Sequence, residues 1–295
     1  VPTVAPPLDP RLGALLARVW PALPGAVGRA EALGASWTAV STPFVAWEDG
    51  RAVGHVGVIE LPLVVGGRPC RVGSIHAVCT DPDRRGRGLG GRLVREALAA
   101  CRDRYETVVL TTLIPQFYVP FGFRPVREHA FSRALPAVTP GPGGRPLTAA
   151  PADAALLRRL LGRRAPVSER LGSLEDGDVF LVALMLTWGD LSRVRYHADL
   201  DAVTVHEVRD GTLVLYDVVA ATIPALPALA AAVGGGAERV VTFFAPDRLG
   251  DGFAAEPWDV ARTEALGGDW FAGLMARGPF AVEADAFMLP PLSRT

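Results

Sequence analysis

Apolar residues along this chain recur at two different periods, and the points where one gives way to the other mark its elements. Leu12, Leu15, Leu16, Val19 and Trp20 fall at helical spacing behind Asp9-Pro10, a capping residue followed by a first-turn proline. A second helix is predicted around Gly28 to Leu33. The period then shortens. Phe44 to Trp47, a turn at Glu48-Asp49-Gly50 and Arg51 to Leu61 read as strands, and Gly66-Gly67 turns the chain into a buried strand from Val72 to Cys79. Leu89, Leu93, Ala97, Leu98 and Cys101 restore helical spacing, with Arg92, Arg95 and Glu96 on the other face. Strands are expected at Thr107 to Thr112, Phe123 to Val126 and Ala130 to Leu135. Val1 to Pro7 is a further strand candidate, weakened by its prolines.

Thr139-Pro140-Gly141-Pro142-Gly143-Gly144-Arg145-Pro146 reads as a flexible linker. Beyond it come a helix from Ala152 to Leu161 and a hairpin from Ala202 to Val208 and Thr212 to Ala220, turning at Arg209-Asp210-Gly211. A helix from Leu226 to Val233 and a strand from Arg239 to Phe244 follow. This hairpin–helix–strand order repeats that of Phe44 to Thr112, which predicts an internal duplication. The expected division is a first domain over 1–138, a linker over 139–146 and a second domain over 147–295.

The 295 residues suffice for two domains of ordinary size. With 49% hydrophobic residues, 21% charged and a net charge of -1, a globular protein is expected, with no broad electrostatic footprint for nucleic acid. All 30 basic residues are arginine, which excludes lysine as nucleophile or base. Cys70, Cys79 and Cys101 form no C-x-x-C pair, and three cysteines make a poor disulfide framework. The apolar runs Val179 to Trp188 and Leu213 to Val233 are short or broken by Asp217, Pro224 and Pro227, and no signal peptide is visible. A reduced, cytoplasmic setting with no membrane partner is the expectation.

Candidate chemistry concentrates between the buried strand and the helix that follows it. Asp81-Pro82-Asp83-Arg84-Arg85-Gly86-Arg87-Gly88-Leu89-Gly90-Gly91 brings glycines and arginines to a helix N-terminus, where free amides and the helix dipole favour phosphate. A Walker-type loop is ruled out by the missing lysine. Gly86, Gly88 and Gly91 satisfy the dinucleotide pattern G-x-G-x-x-G, with Glu106 downstream. That fold wants its first glycine tight against the strand end, and here Asp81 to Arg85 intervene. Arg85, Gly88 and Gly90 satisfy R-x-x-G-x-G. After the next strand comes Ile114-Pro115-Gln116-Phe117-Tyr118-Val119-Pro120-Phe121-Gly122-Phe123.

Together these two motifs resemble the GNAT superfamily of N-acetyltransferases, whose acyl-CoA pyrophosphate loop reads R-x-x-G-x-G and whose tyrosine segment reads F-Y-x-x-F-G-F. The resemblance covers the first half of the chain. It implies an α/β (α+β) fold with a mixed, mostly antiparallel central sheet flanked by helices, and an acyltransferase that moves the acetyl group of acetyl-CoA onto an amine by direct attack. No metal is implied. The residues before about Val40 would shape acceptor choice. Arg85, Gly86, Arg87, Gly88, Leu89, Gly90 and Gly91 would hold the pyrophosphate, and the backbone of Val78, Cys79 and Thr80 the pantetheine arm, in a gap bounded by the strand ending at Thr112. Tyr118 would protonate the departing thiolate.

An alkylamine is mostly protonated at neutral pH, so a proton must leave before attack. His76 lies two residues before Val78, on the face that unbroken alternation shares among Ser74, His76, Val78 and Thr80. Its position resembles one where arylalkylamine acetyltransferases carry histidine, while other members have glutamate at the position of Ser74. A neutral core histidine is the competing reading, and Glu60 on the preceding strand is the reserve base.

The second half lacks this chemistry. Ala220 to Ala225 holds neither arginine nor glycine, so that half is expected to be a degenerate copy without a cofactor loop, an arrangement that resembles tandem members of the superfamily. His55, His129, His197 and His206 show no metal-ligand spacing. Trp188 with Asp190, Trp258 with Asp259 and Asp269 with Trp270 read as core tryptophans beside turn residues, ahead of a cation site. The acceptor is expected to be a small-molecule amine, with a protein or peptide amine as the alternative. The other functional class is a non-catalytic acyl-CoA-binding regulator.

Overall fold

The computed structural model describes residues 8–174, 177–259, 272–280 and 285–295. The strand expected at Val1 to Pro7 and the Asp269-Trp270 pair lie outside the described residues. Helix α1 (Pro10–Val19) begins where the Asp9 carboxylate accepts from the Arg11 amide at 2.8 Å, and it buries Leu12, Leu15 and Leu16. Helix α2 (Leu23–Ala32) and the single turn α3 (Trp37–Val40) lead into a meander of β1 (Ser41–Glu48), β2 (Arg51–Val65) and β3 (Arg68–Thr80). Its turns, Asp49-Gly50 and Gly66-Gly67, have positive φ at both positions, which suits the right-handed twist of a hairpin.

Helix α4 (Leu89–Cys101) crosses to β4 (Val108–Thr112), and α5 (Pro115–Tyr118) precedes β5 (Arg124–Pro125). Next come β6 (His129–Ala134), β7 (Arg145–Pro146), α6 (Pro151–Leu161), β8 (Leu171–Ser173) and α7 (Gly177–Thr187). The chain continues through β9 (Val194–His197), β10 (Ala202–Arg209), β11 (Thr212–Val219), α8 (Leu226–Val233), β12 (Arg239–Thr242), β13 (Ala254–Pro257) and β14 (Gly273–Arg277).

Among the described residues the strands form two seven-stranded sheets, mostly antiparallel and flanked by helices, as the α/β reading expected. The first runs β1-β2-β3-β4-β14-β5 with β8 on β2, and the second runs β13-β6-β12-β11-β10-β9-β7. Among the described residues the parallel pairs are β3 with β4 and β11 with β12. Each is bridged by a helix, so the hairpin–helix–strand order occurs once in each sheet.

The sheets do not divide where a linker at 139–146 would divide them. β6, expected to close the first domain, pairs with β12 and β13 in the second sheet. β14, from the far half, fills the space between β4 and β5. Segment 285–295 runs inward, with Met288, Leu289 and Leu292 buried in a core that α1, α2, α7 and both sheets share. A second core, built on Leu93, Val94, Ala97 and Leu98 of α4, covers the other face of the first sheet.

The linker itself is docked. The Gly141 amide donates to Ala231 O at 2.8 Å, and a Cβ on Gly144 would meet the His197 ring at 2.6 Å. Its glycines therefore serve close approach to α8 and β9 instead of flexibility. The apolar run at Val179 is helix α7, with Val179 through Met185 all buried.

Candidate active site

The site is built where β3 parts from β4. Gly73 and Ser74 pair with Val108 and Val109, and no later residue of β3 pairs with β4. On its other side β3 stays with β2 as far as Gly54 opposite Thr80. One edge of β3 from Ile75 to Thr80 is thus left without a strand. The Asp81 amide reaches Val53 O at 2.9 Å, so alternation turns Cys79 toward β2 and aims the amides of Val78 and Thr80 into the gap.

A β-bulge changes which side chains share a face. His55 pairs with Cys79 and Gly57 with His76, and Ala77 between them takes φ 45°, rare for a residue with a Cβ. The phase of β3 slips by one residue there. Ile75 and Val78 pack on the α4 side, whereas Cys79 joins the opposite core. His76 also lies on that opposite face, with its ring edge-on to Trp37 at 4.7 Å. It therefore does not share a face with Val78 and Thr80, as unbroken alternation had predicted.

His76 is buried, and its Nε2 lies 2.9 Å from Ser41 Oγ. Gly57 makes room for the ring, since a Cβ there would sit 2.1 Å from Nε2. Among the described residues His76 Nδ1 has no hydrogen-bond partner. Burial, with the neighbouring His55 adding to it, pushes the His76 pKa down to about 3. Burial thus makes the imidazole a weak base, and its place beside Trp37 and Ser41, on the face away from Val78 and Thr80, favours the competing reading of a neutral core histidine. Glu60 does not replace it. It pairs with Gly73 on the face of Val58 and Tyr105, and its carboxylate is held by Arg71 at 2.8 Å and Arg104 at 3.6 Å. Both candidate bases are on the hairpin, but the structure does not bring them together.

The glycine loop is anchored at its start and open at its end. Asp81 is buried, accepts from the Asp83 amide at 3.0 Å and pairs with Arg18 at 2.9 Å. Arg84 is engaged by Glu48 at 2.7 Å. Arg85 and Arg87 are exposed and enter no ion pair among the described residues. Gly88 is the N-cap of α4 with φ 74°, and neither a side-chain cap nor a first-turn carboxylate satisfies that end of the helix. Free amides, an uncompensated dipole and two unpaired guanidinium groups make a site suited to a phosphate chain. Gly90 and Gly91 bring the helix start against α5 and the turn after it, where a Cβ on Gly90 would lie 3.5 Å from Phe117 and one on Gly91 3.5 Å from Phe121.

Tyr118 closes the α4 side of the gap. It packs edge-on to Phe117 at 4.9 Å and near Phe123 at 6.1 Å, and burial pushes its pKa up to about 12. No described residue hydrogen-bonds its hydroxyl. The phenol is therefore protonated at neutral pH and free to donate to an incoming group. Thr112 ends β4 opposite Gly273, with its hydroxyl accepting from the Ile114 amide at 3.0 Å.

Residues 18–126 match the sequence model of the acetyltransferase (GNAT) domain. That stretch is a GNAT acetyltransferase domain. A conserved Enterococcus faecalis V583 protein described as a probable N-acyltransferase has the same fold at 16% identity, with a TM-score of 0.56 over 91% of this chain and 69% of that one. The Escherichia coli GNAT family N-acetyltransferase YhbS, solved with CoA, is 29% identical over 40% of this chain and 65% of that one, with a TM-score of 0.33. Eis1 from Mycobacterium abscessus is 17% identical over 72% of this chain and 62% of that one, with a TM-score of 0.47. The chain spans about two thirds of the length of these proteins. No curated protein matches the sequence.

One component of the GNAT domain's gap has no sequence signal. Thr295 lies where β3 and β4 part, its Oγ1 2.5 Å from Ser74 Oγ and its carbonyl accepting from Thr111 Oγ1 at 2.9 Å. A contact across more than 180 residues leaves no local pattern. The tryptophan–aspartate pairs bear out the core reading where they are described. Trp188 stacks edge-on to Tyr216 at 4.8 Å, and Trp258 against Phe243 at 4.9 Å. Asp190 caps the Ser192 amide at 2.8 Å. Among the described residues no helix is long and apolar enough to cross a membrane, and no cluster of three or more His, Cys, Asp or Glu could hold a metal.

Proposed function

We propose that the protein is an N-acetyltransferase that passes the acetyl group of acetyl-CoA to the primary amine of a small molecule, by direct attack in a ternary complex. The observation that carries this reading is the open edge of β3 between an unpaired arginine–glycine loop and a free tyrosine hydroxyl. Acetyl-CoA supplies the activated thioester. Arg85, Arg87 and the amides from Gly86 to Gly91 match its pyrophosphate, and Val78 and Thr80 offer amides along the gap. The amide of Val78 is placed to stabilise an oxyanion. Tyr118, kept protonated by burial, donates its proton to the departing sulfur as the C–S bond breaks, and the proton shed by the attacking nitrogen returns through water to restore the phenol.

Neither His76 nor Glu60 takes the proton of the amine. With an amine pKa of about 10, roughly one molecule in a thousand arrives neutral at pH 7, and water removes the proton before binding. Turnover at subsaturating amine then rises about tenfold per pH unit, with no inflection near the usual histidine range. Residues 147–295 supply β8, β14 and the 285–295 segment to the first sheet and wall the acceptor side, holding no second cofactor. The test is a panel of small amines, aminoglycoside-like compounds among them, and peptides, assayed for CoA release with mass detection of the acetylated product. Acetylated small amines are expected. CoA binding without any acetylated product would favour a regulatory CoA binder, and product from peptides alone would move the acceptor class.

A further inference from the structure

Segment 285–295 does more than fill the core between the sheets. Glu128 lies at the junction of β5 and β6, where the chain leaves one sheet for the other. Its Oε1 accepts from the Leu289 amide at 2.9 Å and from Arg294 Nη2 at 2.5 Å. Arg294 also donates to Leu289 O at 3.1 Å and, through Nη1, to Ala272 O at 3.0 Å just ahead of β14. Both side chains are buried. One planar guanidinium thus ties the sheet junction, the start of β14 and the segment itself to a single geometry.

The next residue is Thr295, whose hydroxyl meets Ser74 and whose carbonyl accepts from Thr111. Ser74 is the last residue of β3 paired with β4, and Thr111 lies two residues beyond Val109, the last residue of β4 so paired. Thr295 therefore bridges the two strands at the point where they separate.

We propose that Glu128 and Arg294 form a positioning pair for acetyl transfer, fixing Thr295 as the strut that sets the width of the gap between β3 and β4. This rests on the reading that the thioester end of acetyl-CoA occupies that gap. An apolar pair of similar volume would fill the same space, but it would not direct the backbone of 294–295 toward Ser74 and Thr111. A purely structural pair predicts even loosening of the whole molecule when it is removed. A positioning pair predicts loosening confined to the two strands.

The full chain carrying Glu128→Met with Arg294→Met replaces the buried ion pair without leaving a lone buried charge. Amide exchange by mass spectrometry over 72–80, 82–92 and 108–112 is compared with wild type, alongside calorimetry with CoA and with acetyl-CoA. The strand segments are expected to exchange about tenfold faster while the loop segment is unmoved. Acetyl-CoA should bind about tenfold more weakly and CoA less than threefold, because the pyrophosphate contacts lie on the loop. Unchanged strand exchange with an unchanged acetyl-CoA to CoA affinity ratio would overturn the proposal, as would exchange raised evenly over the chain. Should the double variant fail to fold, Thr295→Val, which removes the hydroxyl contact with Ser74 and leaves the buried pair intact, is read the same way over 72–80 and 108–112. If wild type binds neither CoA nor acetyl-CoA, the acetyltransferase reading fails, while strand exchange still decides whether Thr295 is a strut.

Discussion

The units β3–α4–β4 and β11–α8–β12 share an order of elements and a parallel pairing, and they treat the space between their strands in opposite ways. In the first, pairing stops after two residue pairs and β3 keeps an open edge. In the second, pairing runs over four, from Thr212 opposite Arg239 to Leu215 opposite Thr242. Where β11 goes on alone, another segment closes it: the Ala165 amide donates to Ala220 O at 2.8 Å, and Arg164 pairs with Asp217 at 2.7 Å, both side chains fully buried. The helix starts differ too. Gly88 leaves α4 open, whereas the first amide of α8, on Leu226, is already bonded to Leu249 O at 2.9 Å over a buried Ile223. A shared order of elements does not carry a shared site. The site depends on what is left unpaired at one strand edge and one helix end.

The largest expected effect strikes the closed unit. Arg164→Met strands the buried Asp217 carboxylate on β11 of the second sheet and should lower stability by about 3–5 kcal/mol in denaturant unfolding. CoA affinity of the folded protein should not change. A matching loss of affinity would mean the closed unit takes part in binding.

Next, Gly88→Val forces a β-branched residue into φ 74° and puts its side chain in the phosphate's approach. CoA binding should weaken at least 100-fold, about 2.7 kcal/mol by calorimetry. The equivalent cap change in the second unit, Ala225→Val, should leave affinity unmoved. Equal losses at both caps would erase the distinction between the two units.

Tyr118→Phe keeps the packing and removes the proton, so turnover should fall about 100-fold with acetyl-CoA affinity unchanged. Unchanged turnover, with chemistry limiting, would take Tyr118 out of the mechanism.

At neutral pH the smallest effect concerns His76, whose contribution changes only in acid. Its folded pKa of about 3 lies below the usual 6.5, so between these values the unfolded chain binds a proton that the native protein does not. Its contribution is complete above pH 6.5 and is lost as pH falls toward 3, at up to about 1.4 kcal/mol per pH unit. His76→Gln should flatten that acid slope in unfolding experiments and leave the acidic limb of the turnover profile where it was. A shifted limb would restore His76 as a base.

Much of the open unit was legible because its signals are local. Leu89 through Cys101 announce α4 by period, Gly88 announces the cap, and Phe117 to Phe123 announce the turn after β4. The bulge was not legible, because Ala77 carries none of the markers of a residue at positive φ, and without it the face of His76 is misread. Nor was the exchange of strands. Gly273 to Arg277 is short and gives no hint that its partners are β4 and β5. Helix α7 showed only as an apolar run, because a helix buried on nearly every side loses the amphipathic period that would reveal it. Glu128, Arg294 and Thr295 read as unremarkable positions until the fold brings them to one junction.

The central claim is that one β–α–β unit is open to a cofactor and the other is closed. Calorimetric titration of the full chain with coenzyme A tests it most directly. The account predicts a single saturable site with a stoichiometry of one per chain, abolished by Gly88→Val and untouched by Ala225→Val. Two sites per chain, or one site that survives Gly88→Val, would contradict it.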